Sequence, residues 1–210
     1  MVADEVRIHA VIEAPWFDGS PPWPWPIAAV PAFRHFPIYG DMTLEETGSL
    51  IAALTDPLEL NPGHSVLDIL RQLSELEYFG LRGGLAVSAG QQFVVRPGCC
   101  SGLEEWREWC AIRDGQSPWM GHDPTPWCQF LNDGVVRFWS SGGYTQDEIE
   151  PHVDLAMGGV IESLEMVHAD LKAVLGGLRN WLSNVGYADA ESLLIKFDRS
   201  FAISTARPAY

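Results

Sequence analysis

The spacing of hydrophobic residues changes several times along the chain, and each change marks an element. From Val6 to Val11 apolar and polar positions alternate, as in an opening or edge strand. Thr43-Leu44-Glu45-Glu46 has the form of a helix capping box, and Leu44, Leu50, Ile51 and Leu54 follow on one helical face. A second helix is predicted from His64 to Glu77, its apolar stripe built from Val66, Leu67, Leu70, Leu73 and Leu76. Pro57 and Pro62 separate the two helices. Leu85 to Arg96 then reads as a β-hairpin or bent strand turning at Ala89-Gly90, with Phe93-Val94-Val95 as a core strand.

Pro97-Gly98 breaks that strand, and Ser101-Gly102-Leu103-Glu104 opens a short helix reaching Ile112. Beyond a proline-punctuated loop, Trp127–Phe130 and Val135–Trp139 flank Asn132-Asp133-Gly134. Asp-Gly between two apolar runs is a strong hairpin signal. Thr145-Gln146-Asp147-Glu148 is another capping box. After it Val153, Met157, Val160, Leu164, Val167, Leu171, Val174, Leu178 and Trp181 recur at steps of four and three, an apolar seam along one long helix. Such a seam serves a coiled-coil dimer or a helix packed on its own chain. Gly158-Gly159 and Gly176-Gly177 weaken a free-standing coil, which favours packing within the chain. Ala188 to Phe197 reads as a last helix, with Ser204 to Tyr210 as a frayed end. Strands in the middle and helices in the flanks give an α+β fold. Its small antiparallel central sheet packs against the flanking helices, and its C-terminal helix is long. The reading takes residues 1–210 as a single domain with a Pro/Trp-rich loop over 14–37.

That loop changes the picture most. Five prolines fall between Ala14 and Pro26, which forbids helix or central strand. Trp16, Trp23 and Trp25 alternate with them on a stiff, extended segment. The rings are read first as covering the protein's own core, and in the sharper reading as an aromatic surface for a partner. The composition leans the same way: nine of 210 residues are tryptophan, so aromatic anchors dominate the core.

Charge bears on function. The chain carries 28 acidic against 13 basic residues, a formal charge of −15. Such a field repels phosphate backbones, so nucleic acid is excluded as a direct ligand, and it speeds encounter with a basic protein. No run of ~18 apolar residues is present, so no membrane span is expected. The N-terminus lacks the basic start and apolar run of a signal peptide. Cys99, Cys100, Cys110 and Cys128 do not space like a disulfide framework, so reduced thiols in a cytoplasm are expected.

Candidate chemistry concentrates between Arg96 and Cys128. Zinc ligands could be drawn from Cys99, Cys110, His122 and Cys128, although no C-x-x-C spacing is present. A nucleophile could come from Cys99 or Cys100, just before a helix N-terminus, with His122 or His152 as base; Glu104, Glu105 and Glu108 oppose an anion there. The structural alternative puts Trp106, Trp109 and Cys110 on one buried helical face and makes His122-Asp123-Pro124 a turn. No glycine-rich phosphate loop occurs, and no cofactor is expected. The leading expectation is therefore an acidic protein-binding domain, not an enzyme, that acts as a monomer or homodimer. It masks a basic toxin surface as an immunity protein or antitoxin does. Trp16, Trp23, Trp25, Trp119, Asp123, Glu104, Glu105 and Glu108 would contact the partner. The alternative is a cysteine- or metal-dependent hydrolase-like enzyme built on residues 99–128.

Overall fold

The computed structural model describes residues 5–31, 33–60, 63–142 and 151–205. It is an α+β fold with seven strands, four α-helices and one long 3₁₀ helix among those residues. Chain contacts divide it into two compact units, Met1–Val11 with Arg82–Ala169 and Ile12–Leu81 with Asp170–Tyr210. Two of the three crossing points, after residues 11 and 169, fall inside a strand and inside a helix, so no linker composition marks them. No described helix is long and apolar enough to cross a membrane.

Strands β1 (Val6–Glu13), β2 (His35–Pro37), β3 (Gly83–Ala89) and β4 (Gln92–Val95) form a sheet ordered β2-β1-β3-β4. β3 and β4 make the antiparallel hairpin expected from the sequence, with a bulge between Val87 and Ser88. β3 is buried almost throughout, including the hydroxyl-bearing Ser88, whose Oγ lies 2.9 Å from His9 Nε2.

In the first unit, β5 (Trp127–Phe130), β6 (Val135–Trp139) and β7 (His152–Ala156) form a second antiparallel sheet in that order. Asp133 (φ 69°) and Gly134 (φ 72°) make the left-handed turn between β5 and β6 that Asp-Gly announces. β7 corrects the sequence expectation. Val153 sits in a strand, opposite Phe138, and the helix starts only at Met157. The step from Val153 to Met157 looks helical, but half-buried Val153 and Leu155 alternate with exposed neighbours and fit the edge of β6. Arg137 clamps Asp154 across this pair with two hydrogen bonds of 2.7 and 2.9 Å, which holds the Asp154 carboxyl below its usual range. The capping box at 145–148 lies outside the described residues.

The helix after Cys100 is also corrected in kind. Leu103–Asp114 is a 3₁₀ helix, not an α-helix. A 3₁₀ turn holds three residues, so positions i and i+3 eclipse. Leu103, Trp106, Trp109 and Ile112 are buried at that period, and Cys110 is buried beside them. Trp109 stacks on Phe138 of β6 with ring centroids 5.7 Å apart.

In the second unit, α1 (Leu44–Leu54) and α2 (Val66–Glu75) each begin with a closed capping box, Thr43 with Glu46 and Ser65 with Asp68. The Pro/Trp loop lies on α1. Trp23 Nε1 donates to Thr55 Oγ1 at 2.8 Å, and Trp25 Nε1 donates to the Gly48 carbonyl at 2.9 Å. The long helix α3 (Met157–Asn184) supplies Trp181, whose ring meets Trp25 edge-on at 5.5 Å. Along α3 the seam residues Val160, Leu164, Val167, Leu171, Val174, Leu178 and Trp181 are all buried, so the chain itself covers the seam. The last helix, α4 (Ala190–Ser200), docks on α2: the Lys196 ammonium donates to the Ser74 and Leu76 carbonyls, and Ser200 Oγ accepts from the Phe79 N–H.

The tryptophans of this loop should therefore separate by energy. Trp25→Ala removes a buried ring and its hydrogen bond to the Gly48 carbonyl, a loss of about 3–5 kcal/mol. Trp16→Ala, on an exposed ring, should stay within about 0.5 kcal/mol of the parent. Urea unfolding measures both; equal losses would overturn this division of the loop.

Candidate functional site

The site grows from two loops of the first unit that touch back to back. Residues 97–102 leave β4, and residues 119–124 follow the 3₁₀ helix. Gly98 N–H donates to the Met120 carbonyl at 2.7 Å, His122 N–H donates to the Cys99 carbonyl at 3.0 Å, and Cys99 and His122 form an isolated antiparallel bridge. The backbones are so close that a Cβ on Gly98 would stand 2.2 Å from the Pro124 carbonyl oxygen, and one on Gly121 would stand 2.6 Å from the Gly98 carbonyl. Gly121 also holds φ 86°, a left-handed conformation that a larger residue adopts only at a cost. Glycine is the residue that fits at both points.

Cys100 adds a second constraint. It is not glycine, yet it holds φ 64°. In extended backbone successive side chains point to opposite faces. The left-handed turn instead brings Cys99 Sγ and Cys100 Sγ to 3.3 Å. Both thiols are exposed. The half-exposed His122 ring completes the group, with ligating atoms of Cys99, Cys100 and His122 all within 4.8 Å of one another. Among the described residues this is the one place where three such side chains converge. His122 Nδ1 is shielded from solvent without a hydrogen bond, and Asp123 Oδ2 lies 3.5 Å away. Trp119 meets the His122 ring edge-on at 6.2 Å.

The four residues considered as alternative zinc ligands do not form one cluster. Cys99 and His122 come together. Cys110 and Cys128 are buried elsewhere and do not join them, because Cys110 belongs to the buried side of the 3₁₀ helix and Cys128 pairs with Phe138 in the sheet. Burial pushes the Cys128 thiol up to about 11, against a bond involving Ser117. Cys100, considered at first only as a nucleophile, is the third member. His152 lies on β7 against the Trp139 ring, away from the cysteines.

As a nucleophile Cys99 is poorly set. The neighbouring Cys100 thiol, then burial, then the negative fields of Cys100 and Asp123 raise its pKa, and only Arg82 opposes them. A thiol held up in this way carries less thiolate at neutral pH.

The partner-facing residues divide as well. Trp23 and Trp25 are in the core of the second unit and offer no exposed ring, which corrects their assignment to a partner surface. Trp16 and Trp119 are exposed, at 60% and 42%. Sequence reasoning missed Phe33, which is 62% exposed and stacks on Trp16 at 6.2 Å. A Phe two residues after Pro31 carries no signal of exposure by itself. Glu104 and Glu108 face solvent on the 3₁₀ helix, with half-buried Glu105 between them. Burial raises the Glu105 carboxyl, Glu108 and Glu104 push it the same way, and the Gly102 N–H opposes them. Asp123 is exposed beside His122.

No family model, curated protein or solved structure matches the chain. The functional reading therefore rests on the residues themselves.

Alkylation of the native, reduced protein followed by peptide mapping should label Cys99 and Cys100 and spare Cys110 and Cys128 until unfolding. Because the Cys99 thiol is raised, its labelling should be slow at neutral pH and accelerate as pH rises past the range of an ordinary cysteine. Labelling of Cys128 in the native state would contradict the packing, and fast labelling of Cys99 at neutral pH would contradict its electrostatics.

Proposed function

We propose that this chain is an acidic protein-binding domain that masks a basic surface on a partner, in the manner of an immunity protein or antitoxin. The observation that carries the reading is the stacked pair of Trp16 and Phe33, two large aromatic rings both more than half exposed on a chain of charge −15. Aromatic rings anchor interfaces because they bury much area for little lost side-chain freedom. Carboxylates steer a basic partner towards them and fix its orientation. The ridge of Glu104, Glu105 and Glu108 supports the same partner class. Burial first, and then the charges of Glu108 and Glu104, raise the proton affinity of Glu105, and a cationic group laid on the ridge would relieve that repulsion. We place the chain in a reducing cytoplasm, where exposed thiols at Cys99 and Cys100 persist, and read it as a monomer or homodimer when free.

The alternative, a cysteine- or metal-dependent hydrolase using residues 99–128, gains from the meeting of Cys99, Cys100 and His122. Its nucleophilic form is opposed by the raised Cys99 thiol. Its metal form concerns what the three residues bind.

The test is affinity capture from the source cell at low and at high salt, with the parent chain and two variants. One is Trp16→Ala/Phe33→Ala, and the other replaces Glu104, Glu105 and Glu108 by Gln. A basic protein should be retained by the parent, released by salt, and lost from the aromatic variant; the glutamine variant should capture it more slowly. Equal capture by parent and aromatic variant, or no basic protein at all, overturns the proposal.

A further inference from the structure

We infer that Cys99, Cys100 and His122 form a zinc site of three protein ligands with an open fourth position, independent of any partner surface. The donor set is the first reason. Two thiolates and an imidazole suit zinc, a borderline-soft ion that takes sulfur and nitrogen ligands in tetrahedral geometry.

The dimensions are the second reason. Zn–S near 2.3 Å and Zn–N near 2.05 Å require donor atoms ~3.5–3.8 Å apart in a tetrahedron. The sulfurs already stand 3.3 Å apart, and all three donors lie within 4.8 Å. Small rotations of exposed side chains close the remaining difference.

Backbone geometry is the third. Adjacent cysteines reach one ion only if the chain turns between them, and Cys100 holds the left-handed φ of 64° that does this. Non-glycine residues keep such a conformation where their surroundings over-determine it. Here the two-glycine contact and the hydrogen bonds flanking it fix both loops, so the ligands are positioned before any ion arrives. The histidine gives the fourth reason. The Asp123 carboxylate lies 3.5 Å from His122 Nδ1, on the side where the outer partner of a metal-bound imidazole ordinarily stands, which leaves Nε2 as the ring nitrogen for the ion.

With three protein ligands, the fourth position is open to water or to a donor from another molecule. Structural zinc sites close all four positions, so this one belongs with those that exchange a ligand. The Asp123 carboxylate beside the site favours a dication.

The experiment titrates the reduced, metal-free full chain with Co²⁺ alone under anaerobic conditions, then displaces it with Zn²⁺. One cobalt per chain should bind, with the intense visible bands of tetrahedral cobalt and a thiolate-to-metal band in the near ultraviolet, and Zn²⁺ should abolish both. Cys99→Ser, Cys100→Ser and His122→Ala should each weaken binding more than ~100-fold, beyond what loss of an outer partner costs. Circular dichroism of these exposed-site variants checks that they remain folded. Cys110→Ala should leave the cobalt spectrum unchanged. Absence of a stoichiometric complex overturns the inference, as does one that survives Cys99→Ser. Binding untouched by His122→Ala reduces the site to a dithiol and also overturns it.

Discussion

The contact on which the chemistry of this chain depends is the backbone apposition of Gly98 and Gly121. With side chains on either residue the loops would have to part, since a Cβ at each would meet main-chain atoms at 2.2–2.6 Å. With the glycines in place, two hydrogen bonds hold the loops together. Cys99 and Cys100 at the end of one loop then face His122 on the other. Nothing about cysteine or histidine alone would bring them together. The arrangement is set by main-chain packing, and the two sulfurs and the imidazole inherit it. Trp119 shares in it through its edge-on contact with His122, so an ion held there would also steady an exposed aromatic ring.

The second unit shows tryptophan in a different part. Trp23 and Trp25 are buried and their indole N–H groups satisfied, which stiffens a proline-rich segment that has few backbone donors to offer a sheet or helix. Trp16, from the same segment, stays outside with Phe33. One short stretch of sequence thus contributes both core and surface. Only the partners of each ring distinguish them.

The sequence was legible where local rules act alone. The capping box at Thr43, the Asp133-Gly134 turn and the seam from Val160 to Trp181 rest on neighbours within a few residues, and each is present. It was less legible where a distant partner decides. His152–Ala156 continues the helical spacing on paper but pairs with β6. Residues 103–112 carry both three- and four-residue spacings of apolar groups, and both are buried, so spacing alone does not tell the 3₁₀ helix from an α-helix. In the site, Cys99, Cys100 and His122 stood out as reactive residue types, but the exclusion of Cys110 and Cys128 follows from packing that spacing does not encode. Phe33 had no signature at all, since exposure of a single ring depends on what the rest of the chain leaves uncovered.

The most direct test of the central claim is a crystal structure of the reduced, zinc-loaded chain with anomalous differences recorded on both sides of the zinc edge. One strong peak per chain is expected, bounded by Cys99 Sγ, Cys100 Sγ and a His122 ring nitrogen, with a solvent or foreign donor completing the tetrahedron. A peak held by other residues, or no peak with all three side chains well ordered, would contradict it.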